Sequence, residues 1–325
     1  MYLLRQIGLS ALLFFLSSCT SLFYPHDVDF YGLDGPPIDK TSKYSDLQPD
    51  EQELRRAYLA AIGSSLVYKE PAEAVAALDA MGFHDKIFID NAGTSDGQAM
   101  VASIGDYTFV SFRGTVSAKD WKSILKLGST KLDSAPHLRV HKGVANVWYD
   151  LRKTIYSALE QSGIKPNQTS KKLIVSGHSQ GGAIATLAAT ELSAKGYTIT
   201  SCNTFGTPKI AKDDISLPFE YNRFVYHNDI AVRLPPGFKH IGNGIYSRHY
   251  GVFSSTDHSR SYWPSISNHF MVHYINTLSQ HLLTRSNDDT TRAVIDWGTK
   301  RNTPLHEIAG IRPSSVRSFV SRWAK

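Results

Sequence analysis

Lys172-Leu173-Ile174-Val175-Ser176-Gly177-His178-Ser179-Gln180-Gly181-Gly182-Ala183-Ile184-Ala185 is the stretch that decides how this chain folds. Leu173-Ile174-Val175 is a short continuous apolar run, the pattern of a strand buried on both faces. Gly181-Gly182-Ala183-Ile184-Ala185 opens an alanine-rich segment that predicts a helix over residues 181–194. Between them Gly177 and Gly181 flank Ser179. A serine on so tight a strand-to-helix turn has a strained backbone and an exposed hydroxyl, and the glycines leave room for the turn to pack. At the helix N-terminus it also feels the positive end of the helix dipole, which favours a developing oxyanion nearby. A serine hydroxyl is a poor nucleophile at neutral pH. It needs a base, and the base needs an orienting carboxylate.

The flanking sequence supplies the remaining layers. Strands are predicted over residues 199–204 and 223–226, with a late helix over residues 269–283. Upstream, Asp50-Glu51-Gln52-Glu53 opens a helix with Leu54, Tyr58, Ala61, Ile62, Ser65 and Leu66 on one face. A second short helix covers residues 72–81. Residues 98–104 and 107–112 form a hairpin about Gly105-Asp106. A helix over residues 144–160 carries Val147, Leu151, Ile155 and Leu159 at four-residue spacing. Short apolar strands alternating with helices after one hairpin predict an α/β fold with a mostly parallel sheet and helices on both faces. Residues 237–268, rich in Tyr, Phe, Trp, His and Gly, read as a long functional loop. No internal repeat is present.

In this arrangement the acid and then the histidine should follow the serine. Asp229 lies just past a predicted strand, where an α/β sheet places functional side chains. Asp213 and Asp214 are its rivals. His269 stands at a loop-to-helix junction, with His273, His258 and His249 as competitors. His178 and His227 read as structural hydrogen-bonding residues.

The N-terminus tells of the envelope. Met1 to Ser18 holds a single charge, Arg5, and the apolar run Ile7 to Leu16, a signal-peptide pattern too short to span a membrane comfortably. It ends in Leu16-Ser17-Ser18-Cys19, which resembles a bacterial lipobox. The resemblance implies cleavage before Cys19, lipidation of Cys19, and, with Thr20 following, a protein anchored at the outer membrane. Residues 1–18 are thus a signal peptide and residues 19–50 a tether rich in Pro, Gly, Asp and Ser. Cys202, the second of two cysteines, is left without an intrachain partner and reads as a small buried hydrophobe. Lysine and arginine total 35 against 29 acidic residues. This balance suits anionic headgroups. The basic residues form no run and no nucleic-acid motif, so a nucleic-acid partner is not expected. Residues 286–325 form a C-terminal extension in which Val316, Phe319, Val320 and Trp323 share one helical face. That helix either docks on the domain or lies on an anionic membrane.

Five ordered segments over about residues 51–283 resemble the class 3 lipases, the fungal triacylglycerol lipases and their bacterial relatives. They are Phe112-Arg113-Gly114-Thr115 with Asp120-Trp121, His141-Lys142-Gly143-Val144, Gly177 to Gly182, Thr204 to Lys209, and Asn228-Asp229-Ile230 through Pro236. The chain departs from the family at Gln180, usually leucine, and at Ala231-Val232, usually Val-Pro. The resemblance implies an α/β-hydrolase domain over residues 51–285 and a serine ester hydrolase acting through an acyl-enzyme. Ser179 would be the nucleophile, Asp229 the orienter and His269, five residues before Tyr274, the base. Thr115 and Gln180 would supply the oxyanion N–H groups, with Asp120 holding the Thr115 hydroxyl. No metal or organic cofactor is implied, and the sequence does not speak to oligomeric state. The expected substrates are acylglycerols. A phospholipase A or lysophospholipase acting on membrane lipids and a catalytically inactive lipid-binding envelope protein are the alternatives. A lid is expected at residues 117–127 or within residues 237–268.

Overall fold

The computed structural model describes residues 51–90, 97–114, 128–247, 253–257, 263–265 and 267–285. Seven strands form one sheet in the order β1-β2-β3-β6-β7-β8-β9. These are β1 (His84–Ile89), β2 (Ala99–Ile104), β3 (Tyr107–Phe112), β6 (Lys172–His178), β7 (Ile199–Phe205), β8 (Glu220–Tyr226) and β9 (Gly244–Ser247). β2 runs antiparallel to both β1 and β3, and β3, β6, β7, β8 and β9 are parallel. A separate hairpin joins β4 (Ser129–Leu132) and β5 (Ala135–His141).

Helices cover both faces. On one lie α1 (Glu51–Leu66), α2 (Pro71–Met81) and α5 (Met271–Arg285), packed with Met100, Phe109, Ile174, Phe205 and Phe224. On the other lie α3 (Lys142–Gln161) and α4 (Gln180–Ala194), packed with Val101, Val110, Phe112, Val175 and Cys202. Alternate residues of each strand therefore serve opposite cores, so β2, β3 and most of β6 are buried throughout. This is the doubly covered sheet expected of the sequence. The resulting fold is that of an α/β-hydrolase.

The composition of α4 follows from its place. Nearly all of it is buried, and its alanines and glycines let it approach β6, β7 and α3 closely. Its buried carboxylate, Glu191, accepts from Trp148 Nε1 at 2.9 Å and Tyr156 Oη at 2.5 Å, so the charge is not left bare. α1 meets the sheet through serines: Ser64 donates to Ser176 at 3.1 Å, and Ser176 lies 2.9 Å from Ser111.

Several expectations are amended. The helix predicted from residue 269 begins at Met271, and His269 closes a short 3-10 turn, Ser267–His269. Residues 237–268 are not all loop, since β9 lies within them and completes the sheet. β1 and the β4–β5 hairpin were not expected. Cys202 is fully buried in the apolar α3–α4 core, where loss of solvent pushes its thiol pKa up. Residues 1–50, 117–127 and 286–325 lie outside the described residues, and with them Cys19, the first candidate lid and the C-terminal face. Among the described residues no helix is long and apolar enough to cross a membrane.

Candidate active site

The turn between β6 and α4 is held by contact between backbones. Ser179 takes φ 58° and ψ −129°, a conformation that L-residues seldom adopt, directly before the first residue of α4. A side chain at Gly177 would put its Cβ 2.3 Å from the Gly181 carbonyl, and one at Gly181 would fall 2.2 Å from the Phe112 oxygen. Either atom would have to displace main chain. Ser179 is thus presented at the C-terminal end of the central strand, where ligands of open α/β sheets bind.

Asp229 and His269 reach it from other elements. His269 Nε2 is 2.9 Å from Ser179 Oγ, and His269 Nδ1 is 2.9 Å from Asp229 Oδ2. Because a carboxylate only accepts, Nδ1 carries the hydrogen and Nε2 receives the serine hydroxyl. All three are buried: Ser179 is 2% exposed, His269 1% and Asp229 0%. The Asp229 carboxylate also accepts from the Ala231 N–H at 2.8 Å and the Tyr274 hydroxyl at 2.5 Å. Burial, and then the charge of Asp229, push the Tyr274 pKa well up, so its proton stays on the phenol. Gly206, with φ 59°, passes beneath this group. A Cβ there would stand 2.5 Å from Asp229 Oδ2 and 2.9 Å from His269 Nδ1.

His178 binds the two halves together. Its Nε2–H donates to the His269 carbonyl at 2.6 Å, and its Nδ1 accepts from Tyr68 Oη at 3.0 Å. The same Tyr68 oxygen accepts from the Gly114 N–H at 2.9 Å. The chain of bonds Gly114–Tyr68–His178–His269 runs from the end of the β3 segment to the main chain of the histidine facing Ser179. Burial, with the His269 ring beside it, pushes the His178 pKa well below 6.5 and keeps this ring neutral. Asn228 makes a second clamp, accepting from Asn268 Nδ2 and lying beside His227 Nδ1 at 2.8 Å.

Of the rivals, His273 stacks on Tyr226 with ring centroids 4.7 Å apart, and it is the His269 ring that faces Ser179 Oγ. Asp213 and Asp214 pair with Arg139 and Lys239 at the surface. His249 and His258 lie outside the described residues. So do Thr115 and Asp120, but Gly114 places the preceding residue against the turn: a Cβ on it would come 2.5 Å from the His178 oxygen and 3.0 Å from Ser179 Cβ. Gln180 is the first residue of α4. Tyr68, Asn228 and Gly206 did not emerge as site residues from the sequence. Asn228 and Gly206 stood inside quoted motifs, whereas Tyr68 is one aromatic after a helix and carries no local signal. No group of three or more His, Cys, Asp or Glu able to hold a metal ion occurs among the described residues.

A serine, a histidine and a buried aspartate in line, on this fold, bring the comparison with known families to a point. Residues 109–239 match the class 3 lipase model. That segment carries Ser179 and Asp229, while His269, Tyr68 and Tyr274 lie outside it. The chain is 31% identical over 140 residues to a secreted mono- and diacylglycerol lipase of Fusarium solani, spanning 40% of this chain and 41% of the relative. It is 32% identical over 163 residues to a lipase of Rhizomucor miehei, spanning 45% of this chain and 44% of that one. It therefore spans less than half the length of these two relatives. Among solved structures it resembles the triacylglyceride lipase of Rhizomucor miehei, with a TM-score of 0.55 and 22% identity over 71% of this chain and 98% of that chain. It also resembles the mono- and diacylglycerol lipase of Aspergillus oryzae, with a TM-score of 0.54 and 19% identity over 71% and 100%. At such identities the likeness in three dimensions speaks for the fold alone.

Proposed function

We propose that this protein is a serine ester hydrolase that cleaves acylglycerol-type lipid esters. The observation that carries the reading is the line Ser179 Oγ–His269 Nε2 and His269 Nδ1–Asp229 Oδ2, each 2.9 Å long. As Ser179 attacks the ester carbonyl, His269 takes its proton, and Asp229 stabilises the imidazolium that forms. The tetrahedral oxyanion is met by the backbone N–H groups of Gln180 and Thr115, with Asp120 steadying the Thr115 side chain. His269 then returns the proton to the departing alcohol. A water, deprotonated by the same ring, attacks the acyl-enzyme, and as the Ser179 Oγ–acyl bond breaks His269 returns that proton to Ser179 and the fatty acid leaves. No step needs a metal or an organic cofactor.

The likeness of residues 109–239 to the class 3 lipases and the relatives' names support lipid esters as the substrate class. The apolar leader ending at Cys19 supports a lipid-anchored place in a bacterial envelope, at the outer membrane. A fluorophosphonate probe tests the enzyme reading on the full chain in detergent. Labelling at Ser179 that disappears in Ser179→Ala is expected, and unlabelled folded protein overturns it. Fatty-acid release from emulsified triacylglycerol should exceed that from phosphatidylglycerol or phosphatidylethanolamine vesicles. The reverse order would assign a phospholipase instead.

A further inference from the structure

Among the described residues, Trp263 is the large apolar side chain that stands in water, 91% exposed. A single exposed apolar residue on a loose loop is ordinary. This one has a fixed backbone. The Asn228 side-chain amide donates to the Trp263 carbonyl. Two residues on, the Ser265 N–H donates to the Asn228 carbonyl at 3.0 Å, and the Ile230 N–H donates to the Ser265 carbonyl at 3.2 Å, so that Ser265 pairs with Asp229 as a short parallel bridge. The Asn228 side chain also accepts from Asn268, the neighbour of His269. One asparagine thus ties Trp263 to the residues beside both Asp229 and His269. The indole points outward from a segment locked to the two buried partners of Ser179.

We propose that Trp263 is a lipid-docking residue. Its indole enters the interfacial layer of a lipid aggregate and holds the Ser179 side of the molecule against it. This rests on the lipid-ester reading above, because such a substrate resides in aggregates and the surface beside the site must meet them. An indole suits that layer, with an apolar body for the acyl boundary and an N–H for the headgroups. The excess of six basic over acidic residues favours anionic headgroups. A protein partner fits less well. Stable protein interfaces bury about 1,200–2,000 Å², whereas one tryptophan offers about 150–250 Å².

The full chain, with vesicles of diether phosphatidylglycerol and phosphatidylcholine brominated along their chains, tests this without hydrolysis of the lipid. Bromine in the acyl region quenches only indoles that reach it. The chain has five tryptophans, so the reading is the difference between wild type and Trp263→Phe. A quenched component present in wild type and reduced by half or more in the variant is expected. Trp263→Ala should lower hydrolysis of aggregated ester roughly tenfold, and leave hydrolysis of a monomeric short-chain ester within about twofold. Equal quenching in wild type and Trp263→Phe overturns the proposal. So does a parallel fall of both activities, or a shielding of Trp263 from iodide that grows with protein concentration in the absence of lipid, which would make the occupant a second copy. Quenching reads insertion without turnover. Loss of all hydrolysis with quenching intact would overturn the hydrolase reading and leave lipid docking standing.

Discussion

The two halves of the site are held in place by different forces. The nucleophile half is made of consecutive residues, and its geometry is fixed by repulsion: Ser179 at φ 58°, with Gly177 and Gly181 so close to main chain that no Cβ fits. The acid–base half joins Asp229 and His269, 40 residues apart, and its geometry is fixed by attraction. Tyr274 and the Ala231 N–H each donate to the carboxylate, Asn228 beside it accepts from Asn268 beside His269, and His178 donates to the His269 carbonyl. Steric placement is all or none. Each hydrogen bond is worth only about 0.5–3 kcal/mol, so placement by hydrogen bonds fails by degrees.

Substitution can break or sharpen that contrast. The largest effect is expected at Gly177→Ala. With 2.3 Å to the Gly181 carbonyl, the turn must open, and kcat/KM should fall by about 10⁴-fold or more together with fluorophosphonate labelling. An active Gly177→Ala enzyme would show that the turn is not sterically fixed. Asp229→Asn comes next. An amide can turn its NH₂ toward Nδ1 and reverse the tautomer of His269, so a loss of about 10³–10⁴-fold in kcat is expected, with KM little changed. Tyr274→Phe removes one of the donors to Asp229 and should lower kcat about tenfold. Tyr68→Phe frees both the Gly114 N–H and His178 Nδ1, and a loss of roughly threefold to tenfold, confined to kcat, is expected from steady-state kinetics. A drop of 10³-fold in either tyrosine variant would mean that the hydrogen-bonded half is as brittle as the steric one.

The last effect concerns pH and stability, and leaves the reaction itself aside. His178 is held neutral in the fold, its pKa well below the usual 6.5. Below pH 6.5 the unfolded chain takes up a proton that the native chain refuses. Stability from this group is therefore complete above pH 6.5 and declines as pH falls, by about 1.4 kcal/mol per pH unit, until the native ring is protonated. Urea unfolding at pH 7 and pH 5 should show a shallower decline for His178→Asn than for wild type. Equal slopes would mean that His178 is readily protonated in place.

What was legible in the sequence divides along the same line. The nucleophile half could be read because repulsion acts between close neighbours: strand, Gly177, Ser179, Gly181 and helix appear in order in one short string. Asp229 and His269 could be placed by order and by motif. Tyr68 could not, because its role depends on α1 packing beneath β6, a contact across 110 residues of chain. The unexpected strands failed for local reasons. β4 and β5 lack a regular alternation of exposed and buried positions and sit outside the main sheet, and β9 is four residues long within an aromatic-rich stretch. The late helix starts at Met271 and not at His269 because the chain first closes a separate 3-10 turn, Ser267–His269.

The packing of α1 against α5 on one face of the sheet has a consequence for biosynthesis. An exported chain emerges N-terminus first from the translocation channel, so Ser179 and Asp229 appear before His269, and α5, which packs on α1, follows His269. Domains tend to fold as units as they emerge. A nascent chain that ends before Met271 can build the turn that presents Ser179, but it lacks the helix that follows His269 and carries Tyr274. Hydrolytic competence should therefore arrive late and abruptly, with the emergence of the closing helix.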